Sequence, residues 1–190
     1  GKTDRVVDDI GAANTLVFSD EGIIGFNTDS RAAIDSLESN LKANVDDPLR
    51  NRTALVLGAG GAAKAVAYGL RRRGADVFIT GRTLSRAKAL AASLGCNVID
   101  WKSRTGVDCQ FLVNCTPVGM HPHVDDTPFE KHYLKPSMTI FDTVYNPENT
   151  LLIKEARSQG CHVVTGVEMF VQQAALQFRL FTDLDVPVDV

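Results

Sequence analysis

Thr53-Ala-Leu-Val-Leu-Gly-Ala-Gly-Gly-Ala-Ala-Lys-Ala65 is the stretch from which the rest of the chain takes its meaning. Thr53 to Leu57 is an apolar, β-prone run of the kind buried on both faces of a parallel sheet. It leads without a spacer into Gly58, Ala59, Gly60, Gly61 and Ala62, and then into an alanine-rich segment of helical composition. Gly58 suits a tight strand-to-helix turn, and Gly60 has no side chain to hold a phosphate away from the amides at the helix N-terminus. Ala63 occupies the third glycine position of G-x-G-x-x-G, where a small residue still lets helix and strand pack. A glycine triplet alone is compatible with a turn that binds nothing. Strand, turn and helix in this order point instead to the phosphate-binding turn of a dinucleotide domain.

The end of the next strand selects the dinucleotide. NAD-binding domains place an Asp or Glu there, about twenty residues on, to hold the ribose 2′-hydroxyl. Here Asp76 to Thr80 runs into Gly81, Arg82 and Thr83, with Arg86 one turn into the following helix. A guanidinium pairs with a 2′-phosphate and stacks on adenine, whereas a carboxylate would repel that phosphate. As solvated residues alone, these cations would be mildly unfavourable at a helix N-terminus, which favours a specific anionic partner. NADP(H) is the cofactor this pattern predicts.

Outward from this centre, the chain alternates strand and helix. Strands are expected at Thr53–Leu57, Asp76–Thr80, Asn97–Ile99, Phe111–Asn114, Thr139–Asp142 and His162–Val164. Helices are expected at Gly61–Arg73, Ser85–Leu94, Asn149–Gln159 and Glu168–Phe181. This is the pattern of an α/β, Rossmann-type doubly wound parallel sheet. Asn114 and Thr116 end the fourth of these strands, where ligands bind in open α/β sheets. Before them, Ala12–Phe18 and Gly22–Phe26 read as a hairpin joined by Ser-Asp-Glu, and a helix starts at Asp29 behind Asn27 and Thr28. A polar linker is expected over Asn44–Arg52.

Composition narrows the classes further. Of 190 residues, 44% are hydrophobic and 23% charged, which is globular composition. Twenty basic against twenty-three acidic residues leave a net charge of −3, so no overall basic field recommends nucleic acid as a partner. No apolar run suits a membrane span, and the first residues lack a signal-peptide pattern, so a soluble, cytoplasmic protein is expected. Cys96, Cys109, Cys115 and Cys161 form no C-x-x-C pair and read as reduced thiols. His121 and His123 flank a proline without further ligands at metal-binding spacing, so no metal is expected.

Several separated motifs are similar to one family, the shikimate dehydrogenases. They are Gly11-Ala-Ala-Asn14-Thr15, Gly25-Phe-Asn27-Thr28-Asp29, the glycine turn, Gly81-Arg82-Thr83 with Arg86, Asn114-Cys-Thr116 with Gly119-Met120, Asp142 with Tyr145 and Pro147, and Gly166 to Gln173. The resemblance implies NADPH-dependent reduction of 3-dehydroshikimate to shikimate, with the reverse dehydrogenation. It implies that Asp29 is catalytic and handles the proton together with a lysine from a preceding domain. Without the resemblance, Asp29 would read as a helix cap. The resemblance also implies substrate contacts from Asn14, Asp29, Tyr145 and Gln173, and an approach of Thr143 and Gly166 to the nicotinamide end.

Departures from the family pattern are informative. Gly81 stands where that family has Asn, and Glu168 replaces a glycine of its G-x-G-M stretch. Gln172 precedes Gln173, which takes the substrate position by register. The family's lysine motif lies further upstream of Asn14 than this chain extends. Residues 1–28 therefore read as the tail of a truncated substrate-binding domain, residues 29–165 as the NADP-binding domain, and residues 166–190 as a helix returning toward the absent part. The expected partners are a small-molecule substrate and the missing N-terminal domain, and a homodimer is compatible with the sequence. A non-catalytic dinucleotide-binding module, a quinate-active relative and a piece of a multifunctional polypeptide are the alternatives, and a chain of this extent is expected to hold cofactor better than it turns substrate over.

Overall fold

The computed structural model describes residues 1–20, 22–41 and 47–186. Three of the expectations fall partly outside these residues: Glu21 in the hairpin turn, residues 44–46 of the linker and residues 187–190 of the C-terminal segment. Leu49, in the part of that linker which is described, is fully buried rather than solvated.

Four elements open the chain: β1 (Lys2–Thr3), α1 (Arg5–Ile10), β2 (Thr15–Ser19) and β3 (Gly22–Phe26). β2 and β3 form the expected antiparallel hairpin, and β1 adds in parallel to β3, giving the order β1-β3-β2. β1 and α1 were not anticipated, although α1 carries its signals openly. Asp4 caps it by accepting from the Val7 amide at 2.8 Å, Gly11 closes it at φ 62°, and Val7 and Ile10 bury one face.

α2 (Asp29–Asn40) follows, and its first turn is held by Asn27, whose Oδ1 accepts from the Ser30 amide at 3.1 Å. Then come β4 (Thr53–Leu57), α3 (Gly61–Arg72), β5 (Asp76–Thr80), α4 (Leu84–Leu94), β6 (Asn97–Val98), β7 (Phe111–Asn114), β8 (Thr139–Asp142), α5 (Leu151–Ser158), β9 (His162–Val164) and α6 (Gly166–Thr182). Short 3₁₀ turns at Trp101–Gly106 and Lys131–Tyr133 break up the long connections.

The six strands β4 to β9 form one parallel sheet in the order β6-β5-β4-β7-β8-β9. Alternation along the strands divides the core in two. Ala54, Val56, Val113 and Phe141 pack with α2, α3 and α4, while Leu55, Leu57, Leu112 and Ile140 pack with α5 and the chain around Phe129. The sheet is thus covered on both faces, and the strand order reverses between β4 and β7. Ligands bind at such a reversal, outside the C-terminal ends of the strands.

The opening elements α1 and β2 are tied to this body by side chains. Tyr68 on α3 donates to Asp9 at 2.8 Å, and Gln177 on α6 donates to the Thr15 hydroxyl at 3.0 Å. Near the start of α6, the Glu168 carboxylate accepts from the Thr165 amide at 2.9 Å and also meets Asn40 at the end of α2. The residue that departs from the family pattern is therefore a helix cap that also fastens α6 to α2.

Candidate functional site

At the end of β4 the backbone turns at Gly58, whose φ is +119°. A β-carbon there would lie 2.9 Å from the Cys115 carbonyl oxygen, so both conformation and space require glycine. The turn delivers Gly60 to the N-cap of α3, where no side chain caps the helix amides. A β-carbon on Gly60 would meet nothing within 4 Å, because the residue faces open space. An uncapped helix start behind a bare backbone suits an anion.

This turn forms one wall of a cleft of about 230 Å³, lined by Gly58, Ala59, Gly60, Gly81, Arg82, Thr83, Arg86, Cys115, Thr116 and Pro117. Arg82 and Arg86 are exposed, and neither side chain has an ion pair or hydrogen-bond partner among the described residues. Burial pushes the Cys115 thiol up, with Asp142 and Asp29 adding to the rise, so this wall is neutral. Cys115 and Pro117 were missed in the sequence because only their position beside Thr116 signals them.

Asn114 does not line the cleft. It is fully buried, its Nδ2 donates to Asp142 at 2.9 Å and to the Val118 carbonyl at 3.3 Å, and its Oδ1 accepts from the Thr116 amide and hydroxyl at 3.0 and 2.7 Å. With both ends of its amide spent inside the protein, it fixes the loop carrying Thr116 instead of reaching outward. Asp142 is the other half of this arrangement. Burial pushes its carboxyl up to about 6, against the opposing bonds from Thr150, Val144 and Asn114.

A second pocket, about 310 Å³, lies beside the helix start and is lined by Asn14, Asp29, Ala62, Thr143, Tyr145, Gly166, Met169, Phe170, Gln173 and Gln177. Four of the residues singled out for substrate contact thus meet here from distant parts of the chain. Ala62, Thr143 and Gly166 join them on this side, and Gly61 is the exposed first residue of α3. A β-carbon at Gly166 would fall 2.3 Å from the Val144 carbonyl oxygen, so its absence lets α6 start against the loop after β8. Tyr145 stacks on Phe170 with ring centroids 5.0 Å apart. Phe170 and Gln177 were not picked out from the sequence, since nothing local distinguishes them from other helix residues.

Asp29 is the acidic group of this pocket. Its Oδ1 accepts from Asn14 Nδ2 at 2.8 Å. Burial raises its carboxyl above the ordinary value, and the Asn14 bond opposes that rise. No lysine or arginine is among the described residues lining this pocket. Among the described residues no cluster of His, Cys, Asp or Glu is arranged to hold a metal ion, and no helix is long and apolar enough to cross a membrane.

A parallel sheet in this order, with a glycine turn at its reversal point, defines a Rossmann-type α/β protein. The comparisons with known proteins make this specific. Residues 40–105 match the family model described as shikimate / quinate 5-dehydrogenase, and residues 166–190 match that of the shikimate 5′-dehydrogenase C-terminal domain. The shikimate dehydrogenase (NADP(+)) of Methanosarcina mazei is 40% identical over all of this chain, which covers 69% of that protein. The chloroplastic bifunctional 3-dehydroquinate dehydratase/shikimate dehydrogenase of Arabidopsis thaliana is 39% identical, and the chain spans only 34% of its length. A crystal structure of the Thermus thermophilus shikimate 5-dehydrogenase in complex with NADP(H) and shikimate superposes with a TM-score of 0.85 at 34% identity, covering 97% of this chain and 67% of the other. The chain belongs to the shikimate dehydrogenase family.

Proposed function

We propose that the chain is the NADP(H)-binding portion of a shikimate dehydrogenase, an oxidoreductase that interconverts 3-dehydroshikimate and shikimate. The observation that carries this reading is the meeting of Asn14, Asp29, Tyr145 and Gln173 in one pocket beside the glycine turn. Bound NADP(H) supplies or accepts a hydride at its nicotinamide ring. Gly58, Ala59, Gly60, Gly61 and Ala62 cradle the pyrophosphate with backbone amides, and Gly81, Arg82, Thr83 and Arg86 take the adenosine end and its 2′-phosphate. Thr116 lines the cleft from the opposite side and Asn114 fixes it there, while Thr143 and Gly166 border the nicotinamide side.

On the substrate side, Asp29 holds or moves the proton. Its burial favours the protonated form, and Asn14 aims the carboxyl. Asn14, Tyr145 and Gln173 offer the mixture of donors and acceptors that a polyhydroxylated ring needs when it leaves water. A ketone being reduced develops alkoxide charge, which a nearby cation stabilises. The described lining residues contain no such cation, and this supports a division in which residues 1–28 belong to a substrate-binding domain whose remainder supplies it. The exposed Leu16, Phe18, Phe178 and Phe181 are apolar surface for that remainder to cover. Four free cysteines support a reducing, cytoplasmic setting.

The test is to join this chain to the part of the Methanosarcina mazei relative it does not match and to follow shikimate-dependent NADP reduction. The joined protein is expected to turn over, while the chain alone and the joined Asp29→Asn variant are not. Robust turnover by the chain alone would contradict the need for an outside cation. Activity surviving Asp29→Asn would contradict the role given to that carboxyl.

A further inference from the structure

Asp29 is connected to the C-terminal helix by an unbroken line of hydrogen bonds. Gln177 Nε2 donates to the Thr15 hydroxyl oxygen at 3.0 Å, Thr15 Oγ1 donates to Asn14 Oδ1 at 2.9 Å, and Asn14 Nδ2 donates to Asp29 Oδ1 at 2.8 Å. The direction of each bond is determined. The Thr28 amide, which can only donate, reaches Asn14 Oδ1 at 3.0 Å and so fixes which end of that amide faces Asp29. Asn14 Oδ1 can only accept, so the single proton of the buried Thr15 hydroxyl goes to it and the Thr15 oxygen is left to accept from Gln177. Asn14 Nδ2 has a further acceptor in the Thr28 hydroxyl at 2.9 Å, so its hold on Asp29 depends on how firmly its own oxygen is anchored.

We propose that Gln177 is a positioning residue for Asp29, acting through Thr15 and Asn14. The proposal rests on the acid–base role given to Asp29 above and deepens it. Gln173 lines the same pocket one helical turn before Gln177, so a ligand that engages Gln173 and draws on α6 also tensions the line that ends at Asp29. Bonds that share members strengthen or weaken together, which makes the line a coupled unit. Cys115, pushed up by burial, is a titratable group in electrostatic reach of Asp29 and stays neutral throughout, and Tyr145 lines the same pocket.

The experiment reads Asp29 directly and needs no turnover. Carboxyl-labelled aspartate in the chain is titrated by carbon-detected NMR in the wild type, Gln177→Leu, Thr15→Val, the double variant and Thr15→Ser, with folding checked by circular dichroism. Losing the anchor weakens the bond that lowers the Asp29 midpoint, so the midpoint should rise by at least about 0.4 pH unit in Gln177→Leu and in Thr15→Val. The double variant should rise no further than Thr15→Val, because one route is being cut twice, and Thr15→Ser should match the wild type. An unchanged midpoint in Gln177→Leu would overturn the proposal. So would full additivity in the double variant, which would mean that Gln177 acts by another route. Because the readout is a titration, a chain that never turns over shikimate leaves this result intact, and the two readings fail separately.

Discussion

The two clefts are made of different materials. The phosphate side is backbone: a glycine at φ +119°, an uncapped helix start and a strand end, all within a dozen consecutive residues, with two arginines added from the next strand-to-helix connection. The substrate side is side chains: Asn14, Asp29, Tyr145, Gln173 and Gln177 come from the loop before β2, the start of α2, the loop after β8 and the last helix. The first is rigid because its geometry is covalent and local, and because the fully buried Leu55 and Leu57 anchor its strand. The second is held by bonds across long sequence separations, and Tyr145, at 54% exposure, stands largely in solvent. One half of the site is thus complete in itself, and the other depends on packing between elements.

The largest effect that would break this contrast is at Gly58. Gly58→Val would force a β-branched residue into a left-handed φ with its β-carbon against the Cys115 carbonyl. A loss of roughly 1–3 kcal/mol in stability is expected, together with loss of dinucleotide binding. Gly60→Ala is expected to weaken binding without affecting the melting temperature, since only open space adjoins it. Thermal melts and calorimetry on both variants check this, and equal stability loss at both positions would mean that the turn is not shaped as described.

Asp142 comes next. Its folded value of about 6 lies above the ordinary 3.8, so the native state binds the extra proton. Its contribution to stability is therefore fully present below about 4 and is lost as pH rises through about 6. The integrated effect is on the order of 2–3 kcal/mol. Denaturant unfolding of the wild type and Asp142→Asn across that window should show a falling difference that levels off above it. A flat difference would show that the three donors around Asp142 cancel its burial, and a rising one that they outweigh it.

Glu168→Gly has a smaller expected effect on stability than Gly58→Val or the loss of the Asp142 carboxyl. It restores the family's residue but removes the cap on α6 and the tie to Asn40, with an expected cost of about 1 kcal/mol. Hydrogen exchange should quicken in the first turn of α6 and remain unaltered in α3. Uniform quickening would mean that the cap is not a local device.

The same contrast explains what the sequence could reveal. All six strands of the parallel sheet were legible because each is a short β-prone run next to a turn signal, and the observed β4, β5, β7, β8 and β9 keep the expected limits, while the exposed β6 is one residue shorter than expected. The glycine turn was legible because its chemistry and spacing are contiguous. β1 escaped because two residues carry no periodicity, and α1 because its caps and apolar pair occupy only one and a half turns. Asn114 read as a residue at the strand end where ligands bind, and its inward bond to the buried Asp142 was not legible, since an asparagine there looks alike whichever way its amide faces. Gln177 could not be found at all from the sequence, because its meaning lies in Thr15, 162 residues away. Glu168 read as an unexplained departure until α2 was seen to end against it.

We propose that the phosphate side is a complete NADP(H) site whose selectivity rests on Arg82 and Arg86. Calorimetric titration of NADP(H) and NAD(H) into the wild-type chain and Arg82→Ala tests it most directly. The wild type should prefer NADP(H), and Arg82→Ala should lose about tenfold to a hundredfold in affinity for NADP(H) while its affinity for NAD(H) changes little. A preference for NADP(H) that survives the substitution undiminished would contradict the account.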